Sequence, residues 1–144
     1  MNIDDQRRFR IHDVIDFCRR NDSRGLCFHG WTDNILEEYF RFHQHNGNLC
    51  LVEDDGVLVG MGVGFQCNES DVDRHWFPGD PRGDSFYISD VICSTKRALA
   101  TCVDELKERT SSRGELKLIG LRHGRKKQIK PELLKRILCT YQGQ

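Results

Sequence analysis

Proline is scarce in this chain, at three residues in 144, and there is no low-complexity tract, no recurring unit and no long apolar run. The longest apolar stretch falls far short of the roughly 20 residues that a membrane-spanning helix needs. The opening MNIDDQRRFR has no apolar core and does not read as a signal peptide. Net charge is missing as well, with 22 Lys and Arg against 22 Asp and Glu. The molecule as a whole is therefore not built electrostatically for nucleic acid or for an anionic membrane. No C-x-x-C pair occurs among the seven cysteines at positions 18, 27, 50, 67, 93, 102 and 139. An odd number without close pairs fits neither a secreted disulfide framework nor a structural zinc site. These absences leave a single domain over residues 1–144, cytoplasmic, with reduced cysteines acting as small core hydrophobes and no metal.

What is present reads as an alternation of helices and strands. Ile11, Val14, Ile15 and Cys18 recur at helical spacing. A second helix begins at Thr32, Asp33 or Asn34 as N-cap, with Glu37 placed to reach back, and buries Ile35, Leu36, Tyr39, Phe40 and His43. Leu49–Val52 and Val57–Val59 flank Glu53-Asp54-Asp55-Gly56, an Asp-Gly hairpin turn. The second hairpin strand runs to Phe65 with Gly60, Gly62 and Gly64 on one face and Val59, Met61, Val63 and Phe65 on the other. Three glycines in register imply a close neighbour on their face, either a packed helix or a ligand.

Residues 66–85 are polar, acidic and turn-rich, and read as a surface excursion pinned by Trp76 and Phe77. Then comes Phe86-Tyr87-Ile88-Ser89-Asp90-Val91-Ile92-Cys93, an apolar strand with one acid in it. A short Ser94-Thr95 turn leads to a helix with Leu99, Cys102, Val103 and Leu106 on its inner face. Residues 116–121 form a further strand, and Pro131 opens a last helix with Leu133, Leu134, Ile137 and Leu138 inward. A hairpin followed by a strand-helix-strand unit predicts an α/β fold: a mixed, mostly antiparallel sheet flanked by helices.

That order resembles the GNAT acyltransferase fold from about residue 11 to residue 138. The hairpin 49–65, the central strand 86–93, the helix 96–110 and the strand 116–121 take the places of the corresponding family elements. Where the family carries a glycine-rich loop, this chain has Cys93-Ser94-Thr95-Lys96, with no glycine. A looser similarity runs to the bacterial toxin-activating lysine acyltransferases. They share the core without that loop, and they pair a His near the second helix with an Asp on the aromatic strand, here His29 and Asp90. GNAT-like proteins encoded by bacteriophages have similarly eroded loops. The resemblance implies an N-acyltransferase using acetyl-CoA, another acyl-CoA or an acyl carrier, with a small-molecule or protein amine as acceptor. Its alternative is a catalytically silent module of the same fold, with a structural or binding role.

Transfer of an acyl group to an amine needs a bound thioester, a polarised carbonyl and a proton acceptor. Backbone groups around Ile88, Val91 and Ile92 are the candidates for the pantetheine arm and carbonyl. Ser94, Thr95, Lys96 and Arg97, at a helix start, are the candidates for phosphate; the same residues also fit an ordinary capped helix. Asp90 is a candidate base, since a carboxylate in an apolar strand needs partners or a raised pKa. His29 is a second, against a plain structural role in its turn. Arg122, Arg125, Lys126, Lys127 and Lys130 make the one basic run, which reads as a solvated loop before the last helix, or as a phosphate or nucleic-acid contact.

Overall fold

The computed structural model describes residues 10–22, 28, 30–72, 74–111, 116–122 and 125–129. Two helices come first, α1 (Ile11–Asn21) and α2 (Asp33–His45), then strands β1 (Leu49–Asp54) and β2 (Val57–Cys67). A short 3-10 turn (Glu69–Asp71) lies in the excursion that leads to β3 (Ser85–Cys93). Helix α3 (Lys96–Ser111) and strands β4 (Lys117–Arg122) and β5 (Arg125–Ile129) follow. The five strands lie in the order β1-β2-β3-β4-β5, antiparallel throughout except for the β3–β4 pair. The α/β architecture with a mixed, mostly antiparallel sheet is as the sequence predicts. No helix among the described residues is long and apolar enough to cross a membrane.

Local chemistry explains where the elements begin and turn. Thr32 is the N-cap of α2 and its hydroxyl accepts from the Ile35 N–H at 3.2 Å. Glu37 does not reach back; it pairs with Arg41 one turn on, at 3.2 Å. Asp55 and Gly56 have φ of 50° and 80°, so both central hairpin residues are left-handed, as a type I′ turn requires. Leu36, Tyr39, Phe40 and His43 are buried on α2, but Ile35 is 40 % exposed, because its place on the helix turns it off the inner face.

The sheet separates two cores. Helix α3 lays Ala98, Leu99, Cys102, Val103 and Leu106 on Cys50, Val52, Phe86, Ile88 and Val91. Helices α1 and α2 cover Leu58, Met61, Val63 and Ile92 on the opposite face. The excursion continues that second layer, with Val72 and Phe77 over Phe65, Cys67, Tyr87 and Ile119. Of the two pinning aromatics only Phe77 is buried; Trp76 is 41 % exposed. Helix α3 comes within contact range of two glycines of the row, although at Gly60 the strand residues Cys93 (3.1 Å) and Val52 (3.4 Å) are nearer. A Cβ on Gly60 would meet Ala98 at 3.5 Å, one on Gly62 would meet Cys102 Sγ at 3.0 Å, and one on Gly64 the Phe86 ring at 2.8 Å.

Two bulges break the alternation that sequence patterning assumes. In the β1–β2 ladder Val52 pairs with Gly60 but Glu53 pairs with Leu58, which leaves Val59 as the extra residue. Val59 therefore packs toward α3, and Leu58 replaces it beside Met61 and Val63, correcting the expected face. In the β2–β3 ladder Val63 pairs with Asp90 but Gly64 pairs with Ile88, so Ser89 is extra. Phe86 and Ile88 face α3, whereas Asp90 and Ile92, which simple alternation puts with them, face α1 and α2.

The basic run also departs from expectation. Residues 125–129 are not a solvated loop but strand β5, paired antiparallel to β4 from Leu118↔Ile129 to Arg122↔Arg125. Among the described residues β5 is a sheet edge. Lys130 and the expected last helix lie outside the described residues.

Candidate functional site

Asp90 meets its partners because the Ser89 bulge turns it toward α2. Tyr39, from the buried stripe of that helix, donates its hydroxyl to Asp90 Oδ2 at 2.7 Å across 51 residues of sequence. Ser89 Oγ lies 3.0 Å from the same oxygen, 3.3 Å from the Tyr39 hydroxyl and 3.3 Å from the Val63 carbonyl oxygen. Two hydroxyl protons thus serve one carboxyl oxygen and one carbonyl. With Asp90 ionised, Tyr39 and Ser89 both donate to Oδ2. With Asp90 protonated, its O–H can donate to Tyr39, Tyr39 to Ser89 and Ser89 to Val63 O. Both protonation states are satisfied by rotating two hydroxyls, which suits a group that gains and loses a proton.

The electrostatics agree. Burial pushes the Asp90 carboxyl above its ordinary value, opposed by the Tyr39 and Ser89 hydrogen bonds and by nearby His75, and reinforced by Asp22. Burial and the adjacent Asp90 charge push the Tyr39 phenol well above its usual range, so it stays a donor. The pair is an acid–base group displaced toward neutral pH with its hydrogen-bond donor locked in place.

An aromatic cluster surrounds this pair. Trp31 and Trp76 stack with centroids 5.8 Å apart and planes 6° apart. Tyr39 stands edge-on to both, at 5.2 and 5.6 Å, and the His75 ring is 5.2 Å from Trp31. Arg19 holds Trp31 in place by donating to the Trp31 and Phe28 carbonyl oxygens while pairing with Asp33 at 3.0 Å. His43 fixes the other side. Its Nδ1 receives the Asn48 amide at 3.1 Å, so Nε2 carries the proton and donates to the His75 carbonyl oxygen at 2.8 Å. Both ring nitrogens of His43 are occupied, and burial lowers its pKa; this histidine is structural.

The other predicted residues divide. Ile88, Val91 and Ile92 are buried core positions on β3. The parallel ladder joins Ser85–Ile88 to Lys117–Gly120 and stops there, although β3 runs on to Cys93. Ser94 donates both its N–H (2.9 Å) and its hydroxyl (3.2 Å) to the Val59 carbonyl oxygen, and Thr95 Oγ1 accepts from the Ala98 N–H at 3.0 Å. Those two side chains close the turn and cap α3. Lys96 and Arg97 are exposed in the first turn of α3. His29 lies outside the described residues; among the described ones Asp90 is hydrogen-bonded by Tyr39 and Ser89, with His75 near enough to act on its charge.

Sequence reasoning places Tyr39 in the core and misses its role. A signal was available: a phenol on an apolar helix face and a carboxylate in an apolar strand each need a polar partner. Ser89 and His75 carried no such signal, because a bulge and a loop conformation place them. Comparison with protein-family models, with curated proteins and with solved structures finds no match to this chain.

Proposed function

We propose that this chain is an N-acyltransferase of the GNAT-like kind, which moves an acyl group from a thioester to an amine. The observation that supports this reading is the combination at residues 88–90. There the β3–β4 ladder ends and the bulge at Ser89 aims Asp90 at Tyr39. In this reading Asp90 takes the proton from the attacking amine, and its raised pKa brings it closer to that task than an ordinary carboxylate. Tyr39 orients the carboxylate, and His75 provides a second polar group beside it. The β3 backbone beyond Ile88, past the end of the β4 ladder, takes the extended arm of the donor.

The residues of the α3 turn fit a single phosphate better than a pyrophosphate. Ser94 and Thr95 spend their hydroxyls within the fold, and no glycine lets the backbone curl. What remains for a phosphate is the cationic pair Lys96 and Arg97 at the start of a helix. An acyl carrier, which presents one phosphopantetheine phosphate, is therefore favoured over acyl-CoA as donor. The same observation supports a second reading, a catalytically silent module, because the turn is complete without a ligand.

A thermal-shift series with acetyl-CoA, CoA and an acylated carrier protein, followed by mass spectrometry of an amine mixture, separates them. A rise in Tm with the carrier and amine acylation that Asp90→Asn reduces by about 10²-fold or more supports the enzyme. No shift and no acylated product at saturating donor leaves the silent module.

A further inference from the structure

Three of the described cysteines form a row under α3. Cys50 and Cys102 lie in one buried cluster against which Cys93 packs, and the Cys50 thiol donates to Glu105 Oε2 at 3.0 Å. Glycine makes the space: a Cβ on Gly60 would lie 3.1 Å from Cys93 Sγ, and one on Gly62 only 3.0 Å from Cys102 Sγ. Cys50 and Cys102 are buried, whereas Cys93, at the end of β3, is the only described cysteine with partial exposure. Cys18 and Cys67 belong to the two clusters on the other face of the sheet. A partly exposed cysteine packed beside a buried second one is the arrangement in which a sulfenic acid is converted to a disulfide.

We propose that Cys93, Cys102 and Cys50 form an oxidative modification site that takes a small hydroperoxide at Cys93 and ends as a disulfide centred on Cys102. The Cys93 sulfur attacks the peroxide oxygen; the O–O bond breaks, Cys93 becomes a sulfenic acid and the hydroperoxide leaves as its alcohol, or as water from hydrogen peroxide. Cys102 then attacks the Cys93 sulfur, forming the Cys93–Cys102 disulfide and releasing the sulfenic oxygen as water. Cys50 hands its proton to Glu105 and attacks the Cys102 sulfur. That step forms Cys50–Cys102 and returns Cys93 as a thiolate, which takes up a proton. Two thiols are oxidised and one hydroperoxide is reduced. Hydrogen bonding and burial hold the Cys50 thiol above its usual range, and Cys102 is also raised despite the bond from Cys50. The row stays inert until Cys93 has become electrophilic. The product ties α3 to β1, and this inference stands independently of the acyl-transfer reading.

The test uses the full folded chain treated with hydrogen peroxide, alkylated with iodoacetamide, digested without reductant and mapped by mass spectrometry. The expected product is two hydrogens lighter and bridged Cys50–Cys102. Cys50→Ser should stop at Cys93–Cys102, and Cys93→Ser or Cys93→Ala should slow bridge formation roughly tenfold or more. Circular dichroism reports whether each variant retains its fold, and the two Cys93 variants check each other. Three results overturn the proposal: Cys93 driven to sulfinic or sulfonic acid with Cys50 and Cys102 still alkylated after unfolding; unchanged bridging in both Cys93 variants; or bridges through Cys18, Cys27, Cys67 or Cys139.

Discussion

The two faces of the sheet are packed by opposite means. Under α3 the contacts are made by small residues: Gly60, Gly62, Ala98 and three cysteines let helix and strands approach closely. Under α1 and α2 the space is filled by large rings, with Phe28, Tyr39 and Phe40 meeting edge to face at 5.5 to 5.8 Å. A close-approach face has no room for added atoms, and a ring-filled face cannot spare any. The polar groups divide in the same way. The α3 face holds three of the five described thiols and Glu105, which Cys50 meets, whereas the aromatic face encloses Asp90 and His43 with their partners. The proposed proton transfer lies on the second face, and the proposed thiol oxidation on the first.

The comparison is broken most forcefully by Phe40→Ala. Removing a fully buried ring from the aromatic face should cost about 3–5 kcal/mol, read as a fall in the urea midpoint with an unchanged slope. On the other face, Gly62→Ala should destabilise by overpacking against Cys102, by about 1–3 kcal/mol. Adding Cys102→Ala should recover part of that loss, and a purely additive double mutant would show that the close approach is not the cause. Tyr39→Phe keeps the ring and removes only the hydroxyl. Loss of one hydrogen bond to a carboxylate should cost about 1–3 kcal/mol and push the Asp90 pKa further up, visible by carboxyl-labelled NMR titration.

The smallest effect is the pH dependence within the aromatic face, where two groups act with opposite signs. Asp90 has a raised folded pKa, so the native state holds its proton longer than the unfolded chain. Its contribution is complete at acid pH and declines as pH rises from about 4 through the folded value. Asp90→Asn should therefore gain in Tm over the parent as pH rises, with the two converging in acid. His43 has a lowered folded pKa, so its contribution is present above the ordinary histidine value of about 6.5 and lost as pH falls through the folded value. His43→Gln should flatten that acid limb. Parallel curves for parent and variant would show that neither group is held as the geometry requires.

Much of this arrangement is readable along the chain where the cause is local. Ile11, Val14, Ile15 and Cys18 lie on one helical stripe, and Leu99, Cys102, Val103 and Leu106 on another, because helical period alone sets which residues share a face. Gly60 and Gly62 announce a close neighbour, helix or ligand, for the same kind of reason, with period two. Val59 defeats the pattern, since an inserted residue leaves no mark in the sequence and reverses the faces on one side of it. Arg125-Lys126-Lys127 reads as a loop because strand propensity is weak there; only pairing with β4 makes it a strand.

By itself the sequence determined the helix stripes, the start of α2 within Thr32–Asn34, the left-handed Asp55-Gly56 turn and the α/β order, because each depends on residues within a few positions of one another. Tertiary structure alone decided the Ser89 bulge, the meeting of Tyr39 with Asp90, the thiol row and the end of the β3–β4 ladder at Ile88. Those features join segments distant in the chain, 26 residues for Ser89 with Val63 and 51 for Tyr39 with Asp90, and their geometry is set by how two strands register and which helix covers them.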